Sequence, residues 1–201
     1  RWLDRQSLCP VQCVSDDKYS CHFTADKCSP ASLAVSTIGD ELKIATDGRS
    51  VVLSVAPDRE SAILSAGHAA DGAFWIDDYT GRWDASSYYG EYPKWAAEYE
   101  RDSSLTVRVD GVEWTPLNDS VDRFAYFSER GKKKPFRHKF TGDRRFVSYK
   151  SSACVNEEVV RFARYALDHS RLGVDSQTDL LSVSLYAGTF EHQGVSRYGV
   201  E

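Results

Sequence analysis

Two short stretches of the sequence carry side chains suited to binding a metal ion or an anion. Glu191 and His192 follow an apolar run late in the chain, and a carboxylate oxygen beside an imidazole nitrogen suits zinc. Arg59 follows another apolar run at the start of a predicted helix, where a guanidinium and free backbone amides can hold a phosphate group. On spacing alone, each stretch also fits an ordinary solvated loop or helix end. The candidates are therefore Arg59 for phosphate and His192 with Glu191 for metal.

Four cysteines lie close together near the start of the chain, at Cys9, Cys13, Cys21 and Cys28, and Cys154 stands apart. Such a cluster in a polar stretch suggests disulfides and an oxidising compartment, and four thiols allow three pairings. Zinc binding and free thiols are the alternatives, although the spacing lacks the close C-x2-C pairs of structural zinc sites. We therefore expect disulfides among the first four cysteines and a periplasmic or secreted location.

The bulk composition is that of a globular protein. Hydrophobic residues make up 41% and charged residues 27% of the 201 residues, and the formal net charge is -5. This charge gives no sign of a nucleic-acid partner, and no apolar run approaches the roughly 18 residues of a membrane span. The chain opens at Arg1 and contains no Met, so we expect a piece of a longer protein.

Apolar patterns predict the elements that must position these candidates. Ser29 and Pro30 predict a helix start, with a cap and a first-turn proline, and Asp47-Gly48 predicts its end. Two short apolar runs have the character of buried strands, and two further stretches are typical of helices. These are strands at 50–56 and 179–186 and helices at 59–66 and 156–171.

The middle of the chain has a different character. Aromatic runs around a Gly-bearing turn predict a hairpin over 73–84, and residues 92–100 predict a short helix. Residues 105–109 alternate like a strand, with 112–114 returning. The aromatic side chains fit either a stacking platform for a base or hairpin core packing, the second being the more common use; they are Trp75, Trp83, Tyr88, Tyr89, Trp95 and Trp114.

These elements predict an α/β fold, with α/β core segments at both ends and an irregular α+β insertion between them. Residues 1–70 form a disulfide-bearing loop plus a βα core segment. Residues 71–150 form a cap insertion with the hairpin, and residues 151–201 supply a core helix, a strand and the ligand loop. We expect these three parts to form one compact unit.

Several stretches together resemble a known family. The longest is A-I-L-S-A-G-H-A-A-D-G-A-F-W at 62–75, and shorter ones are W-L-D-R at 2–5, T-I-G-D-E-L-K at 37–43, S-Y-Y at 87–89 and T-D-L-L at 178–181. In this order they resemble the type I phosphodiesterase/nucleotide pyrophosphatase family of the alkaline phosphatase superfamily, in its bacterial periplasmic form.

The resemblance implies an alkaline-phosphatase-like α/β sandwich core that carries two zinc ions. It also implies a Thr or Ser nucleophile upstream of Arg1, and a small phosphate ester or nucleotide as substrate. The middle of the chain resembles the insertion that caps the active site. We therefore expect a phosphodiesterase-type hydrolase as the parent protein, and an inert fragment when these 201 residues are taken alone.

Two positions depart from the family pattern. His192 fits the histidine of an Asp-x3-His metal motif, but Gly188 stands where the aspartate belongs. Pro57 stands where the phosphomonoesterase branch carries a lysine two residues before an arginine, here Arg59. The alternative interpretation is therefore a non-catalytic homologue, or a ligand- or partner-binding module of the same fold.

Overall fold

The N-terminal part of the chain folds into two small antiparallel sheets in the computed structural model, which describes residues 2–115, 127–129, 132–134 and 137–187. β1 (Trp2–Leu3) pairs with β2 (Pro10–Val11), and β3 (Ser15–Ser20) pairs with β4 (Lys27–Cys28). The disulfide-bearing loop predicted at the start of the chain thus contains four strands, the last of which ends at Cys28. β3 is polar and mostly exposed, so its sequence shows no alternation that could signal a strand.

The next segment builds most of the central sheet. It contains α1 (Ile38–Ala45), β5 (Val52–Ala56), α2 (Arg59–Ala66), β6 (Gly72–Ile76) and β7 (Trp83–Ala85). β5 and β6 are parallel, whereas β6 and β7 form an antiparallel hairpin. Every residue of these three strands is buried, which explains their continuous apolar runs. The predicted strand, helix and hairpin are confirmed here.

The start of α1 differs from the prediction. Ser29 and Pro30 do not begin the helix; Thr37 caps it. Thr37 Oγ1 accepts a hydrogen bond from the backbone N–H of Asp40 (3.2 Å), and the Asp40 carboxylate accepts one from the N–H of Thr37 (2.8 Å). This reciprocal capping box satisfies two helix donors. The Ser29 hydroxyl instead donates to Asp16.

The following segment contains several short elements. They are α3 (Lys94–Ser103), α4 (Leu105–Arg108), β8 (Glu113–Trp114), β9 (Phe127–Glu129), β10 (Lys132–Lys134), β11 (His138–Lys139) and α5 (Arg145–Lys150). The strand predicted over 105–109 is wrong, because these residues are helical. Leu105 and Val109 are fully buried one helical turn apart, whereas Val107 is 81% exposed.

The last described elements close the sheet. α6 (Cys154–His169) is followed by β12 (Leu180–Val183), which pairs in parallel with β5. The spatial order is therefore β12-β5-β6-β7. Both elements were predicted, since α6 repeats its apolar residues at helical spacing. In the described part of the chain, no helix is long and apolar enough to cross a membrane.

Two hydrophobic cores cover the two faces of the sheet, which makes this a layered α/β fold as predicted. On one face, Val55 and Phe74 belong to a core that includes Phe162 of α6. On the other face, Ala56 and Trp75 belong to a core shared with α2 and the N-terminal strands. The predicted hairpin β6–β7 is part of this same sheet. The division into three ranges stays a prediction.

A buried carboxylate ties the first core together. Glu158 on α6 has no exposed side-chain surface and accepts hydrogen bonds from Trp83 Nε1 (3.0 Å), Tyr99 OH (2.8 Å) and Arg108 Nη2 (2.6 Å). It therefore joins α6 to β7, α3 and α4. A buried charge of this kind is tolerated only when it is paired and hydrogen-bonded.

Candidate functional site at the carboxyl end of strand β5

The parallel strands β12, β5 and β6 end at a common edge of the sheet. Ligands of open α/β sheets bind beyond the carboxyl ends of such strands. β5 ends at Ala56, and only Pro57 and Asp58 separate it from Arg59, the first residue of α2. The structure therefore places the predicted phosphate-binding candidate Arg59 at this edge.

Asp58 determines where α2 begins. Its backbone is extended, and its carboxylate accepts hydrogen bonds from the backbone N–H and the hydroxyl of Ser61, each 2.8 Å long. An aspartate in this position satisfies a free helix donor and complements the positive end of the helix. Arg59 is thus held in the first turn of a well-capped helix.

The Arg59 guanidinium is already paired with acidic and polar side chains. Its Nη1 donates to an Asp26 carboxylate oxygen at 2.8 Å, its Nη2 donates to Gln12, and Glu60 lies at 3.6 Å. Burial by itself would lower the pKa of Arg59, but the charges of Glu60 and Asp26 outweigh it and raise the pKa. Arg59 is therefore a permanent cation at the sheet edge.

One donor of this guanidinium has no partner. Arg59 Nε is buried and makes no hydrogen bond in the structure, and the side chain as a whole is 15% exposed. An unsatisfied buried N–H of this kind costs about 1–3 kcal/mol. Because phosphate oxygens accept several hydrogen bonds from one guanidinium, an anion that reached Arg59 would have this donor available.

Asp26, the carboxylate that pairs with Arg59, lies in the turn between β3 and β4. The Cys21 N–H donates to the Asp26 carbonyl (2.8 Å), which closes the turn. The buried Asp84 carboxylate holds the same turn by accepting from the backbone N–H groups of His22 (3.0 Å) and Phe23 (3.1 Å). Sequence reasoning missed both Asp26 and Asp84, since their partners lie far away in sequence.

The exit of β12 is fixed by a side chain of α6. Asn156 accepts from the Tyr186 N–H (2.7 Å) and donates to the Tyr186 carbonyl (2.9 Å). This pair fixes the backbone of Tyr186, which precedes Glu191 and His192 in the sequence. Those two predicted metal ligands, and Gly188, lie outside the described residues, so their role stays a prediction.

The described residues do not themselves assemble a metal centre. Within 2–115, 127–129, 132–134 and 137–187, no group of three or more histidine, cysteine, aspartate or glutamate side chains is placed to hold an ion. The described residues therefore do not test the prediction that the protein binds zinc.

The five cysteines, all of them among the described residues, are free thiols in the structure. The disulfides predicted for Cys9, Cys13, Cys21 and Cys28 are therefore not present in it. Cys21 and Cys28 are buried, with their sulfur atoms 3.1 Å apart. Cys9 is exposed and Cys13 is half-buried.

The four tryptophans of this set and Tyr89 pack in or against the two cores and do not form a stacking platform. Trp75, Trp83 and Trp114 are at most 6% exposed. Tyr88 and Tyr89 donate their hydroxyls to the backbone after α2, at His68 (3.1 Å) and Gly67 (2.8 Å) respectively. The expectation of hairpin core packing is therefore confirmed.

The chain is similar in sequence to several known proteins. The chain is 30% identical over 202 residues to alkaline phosphatase PhoV of Synechococcus elongatus, covering 92% of this chain and 36% of PhoV. It is 30% identical over 201 residues to alkaline phosphatase PafA of Elizabethkingia meningoseptica, covering 92% of this chain and 37% of PafA. It is also 32% identical over 171 residues to a protein of Myroides odoratus named calcium-transporting ATPase, covering 78% of this chain and 31% of that protein. No protein-family profile matches the chain.

A solved structure confirms the fold. The crystal structure of wild-type PafA matches with a TM-score of 0.69 and 28% identity, covering 87% of this chain and 37% of that chain. The architecture is therefore that of an alkaline-phosphatase-like α/β protein. The chain belongs to the alkaline phosphatase superfamily. It spans between 31% and 37% of the length of the curated relatives given above.

Proposed function

We propose that this chain is part of a periplasmic or secreted, metal-dependent hydrolase of small phosphoric esters or nucleotides. Two relatives at 30% identity are named alkaline phosphatases, which supports ester hydrolysis at phosphorus as the reaction class. The observation that carries the proposal within the chain itself is Arg59. It is a permanently charged guanidinium, 15% exposed, at the carboxyl end of a parallel strand.

In this proposal Arg59 binds the phosphate group of the substrate. Asp26 keeps the guanidinium charged and oriented before the substrate arrives, and a phosphate oxygen then replaces the Asp26 carboxylate. The Asp26 side chain is 60% exposed whereas Arg59 is 15% exposed, so the carboxylate can return to water at little cost. Arg59 Nε supplies a further donor to the phosphate.

We further propose that the substrate is a phosphodiester or a nucleotide pyrophosphate. Pro57 provides no cation at the position where the monoesterase branch of the family carries lysine. A phosphodiester carries one negative charge, whereas a phosphomonoester carries up to two. A site that has the Arg59 cation but no neighbouring lysine therefore suits the charge of a diester better. The proposal includes a Thr or Ser nucleophile outside these 201 residues, and zinc bound in part by His192 and Glu191.

The proposal is tested on the natural full-length protein with two chromogenic substrates. We expect a higher kcat/KM for bis(p-nitrophenyl) phosphate than for p-nitrophenyl phosphate. The reverse preference would contradict the diesterase assignment alone. Hydrolysis of neither substrate by protein of known zinc content would contradict the proposal as a whole.

Metal binding by His192 is tested without an activity assay. We expect His192→Ala to lower the zinc content of the full-length protein, measured by elemental analysis. His169→Ala is the matched control, because His169 is exposed at the end of α6 and packs on Tyr165. Equal zinc content in both variants and the wild type would exclude His192 as a ligand.

A second candidate function is a non-catalytic binding module of the same fold. Gly188 favours it, since it stands where the family motif has an aspartate. The ion pair of Arg59 with Asp26 is also compatible with a purely structural arginine. This candidate predicts a full-length protein that binds no zinc and hydrolyses neither chromogenic substrate.

A further inference from the structure

Two of the free cysteines face each other inside the core between α2 and the N-terminal strands. Cys21 is 7% exposed and Cys28 is fully buried. A hydrogen bond joins their sulfur atoms at 3.1 Å. Both side chains belong to the hydrophobic cluster that contains Ile63 and Trp75, so neither thiol lies in a mobile surface loop.

The backbone around this pair is fixed independently of the sulfur atoms. Cys21 pairs its backbone with Ser86 in a β-bridge and also donates to the Asp26 carbonyl at 2.8 Å. The Cys28 carbonyl accepts a hydrogen bond from the Ser86 hydroxyl. A disulfide would require the sulfur atoms to approach by about 1 Å, to the ~2.05 Å of an S–S bond. Side-chain rotation within the existing backbone can provide such a movement.

We propose that Cys21 and Cys28 form a disulfide that closes the turn carrying Asp26 and thereby fixes Asp26 beside Arg59. Of the three pairings open to the four clustered cysteines, the structure favours the one that contains Cys21–Cys28. This proposal does not depend on the hydrolase activity, because it concerns two thiols of the chain and a thiol oxidant.

The oxidant belongs to the class of small disulfides, of which oxidised glutathione is the probe. Cys21 retains some exposure, so its thiolate attacks one glutathione sulfur and releases one reduced glutathione. The Cys28 thiolate then attacks the Cys21 sulfur of the mixed disulfide and releases the second. The protein loses two hydrogen atoms, and one oxidised glutathione becomes two reduced ones.

Tryptic peptide mapping can identify this bond because of where the lysines lie. Cleavage after Lys18, Lys27 and Lys43 puts Cys21 in peptide 19–27 and Cys28 in peptide 28–43. Cys9 and Cys13 share peptide 6–18, which begins after Arg5. The Cys21–Cys28 bond therefore joins peptides 19–27 and 28–43, whereas a bond from Cys21 to Cys9 or to Cys13 joins peptide 19–27 to peptide 6–18.

The experiment uses the natural full-length protein, equilibrated under native conditions with oxidised and reduced glutathione. Free thiols are then alkylated, and the protein is digested without reduction. We expect peptides 19–27 and 28–43 to be joined, and to stay joined in the Cys9→Ser/Cys13→Ser control. Recovery of both peptides in alkylated form, or of either one joined to 6–18, would overturn the proposal.

The effect on Asp26 is tested by hydrogen exchange on the same wild-type protein, which avoids variants with a disrupted core. We expect the backbone amides of residues 22–26 to exchange about tenfold more slowly in the oxidised form, since the closed loop opens less often. Equal exchange in the two forms would show that the disulfide does not fix the turn.

Discussion

Asp84 provides the sharpest test of how the candidate site is held in place. It has no exposed surface and lies on β7, yet its carboxylate binds the turn that carries the partner of Arg59. It accepts hydrogen bonds from the N–H groups of His22 (3.0 Å), Phe23 (3.1 Å) and Ala85 (2.8 Å), and from the Thr24 hydroxyl (3.1 Å). We predict that Asp84→Ala destabilises the protein and releases this turn.

The magnitude follows from the number and the burial of these bonds. A hydrogen bond to a charged group contributes about 1.5–3 kcal/mol, but the four contributions do not add, since half-buried donors of the turn regain water. We expect the free energy of unfolding to fall by about 3–5 kcal/mol in Asp84→Ala. Asp84→Asn keeps one acceptor oxygen and should lose about half as much.

The assay is urea unfolding of the full-length protein, followed by the fluorescence of its buried tryptophans. Asp102→Ala is the matched control, because the Asp102 side chain is 56% exposed and pairs only with its neighbour Arg101 among the contacts described for it. We expect this control to change stability by less than about 0.5 kcal/mol. A loss below about 1 kcal/mol in Asp84→Ala would refute the anchoring role.

Three further predictions concern residues around the sheet. Glu158→Ala should cost about 3–5 kcal/mol in urea unfolding, because it leaves the Arg108 guanidinium without its buried carboxylate; a loss under about 1 kcal/mol would contradict this. Burial raises the pKa of Glu100 above its ordinary 4.5, so the folded protein binds a proton on Glu100 more tightly than the unfolded protein does. This difference stabilises the folded protein below pH 4.5, and the stabilisation is lost as the pH rises through the pKa of Glu100 in the folded protein. The stability of the wild type relative to Glu100→Gln should therefore fall as the pH rises above 4.5, and a difference that stays constant with pH would contradict the raised pKa of Glu100. Asn156→Ala should cost about 1–3 kcal/mol and speed amide exchange at Tyr186, whereas unchanged exchange there would contradict its role at the exit of β12.

The elements of the central sheet were the easiest to predict from sequence. β5 is a short run of residues that are all buried, and α2 buries three apolar residues. α6 is longer and repeats its apolar residues at helical spacing. The hairpin of β6 and β7 was also visible, because aromatic runs flank a Gly-bearing turn. In each of these elements, the apolar pattern of the sequence shows which residues are buried.

The errors arose where local patterns were ambiguous. Residues 105–109 alternate like a strand, but Leu105 and Val109 are also spaced one helical turn apart. Because both of these side chains are buried, the segment is helical. The proline at Pro30 suggested a helix start, but the capping box of Thr37 with Asp40 begins the helix seven residues after Pro30. In the first case, contacts with the rest of the fold selected between two locally acceptable structures. In the second case, a local capping box determined where the helix begins.

The candidate site was predictable only in part. Arg59 could be found from sequence, because it follows a buried strand at the start of a helix. Asp26 could not, since 33 residues separate it from Arg59, and neither could Asp84, which lies 62 residues from His22. Pairings of this kind depend on the packing of the N-terminal sheets against the core, and no local pattern of residues signals them.

The contact of Arg59 with substrate phosphate is tested by measuring kcat/KM of the full-length Arg59→Ala variant. Arg101→Ala is the control, since Arg101 also pairs with a carboxylate but is 69% exposed on α3. We expect a loss of roughly 10- to 150-fold in kcat/KM for Arg59→Ala, equivalent to about 1.5–3 kcal/mol for hydrogen bonds to a charged group. We expect wild-type values for Arg101→Ala. Folded Arg59→Ala protein with wild-type kcat/KM would show that Arg59 does not bind the substrate phosphate.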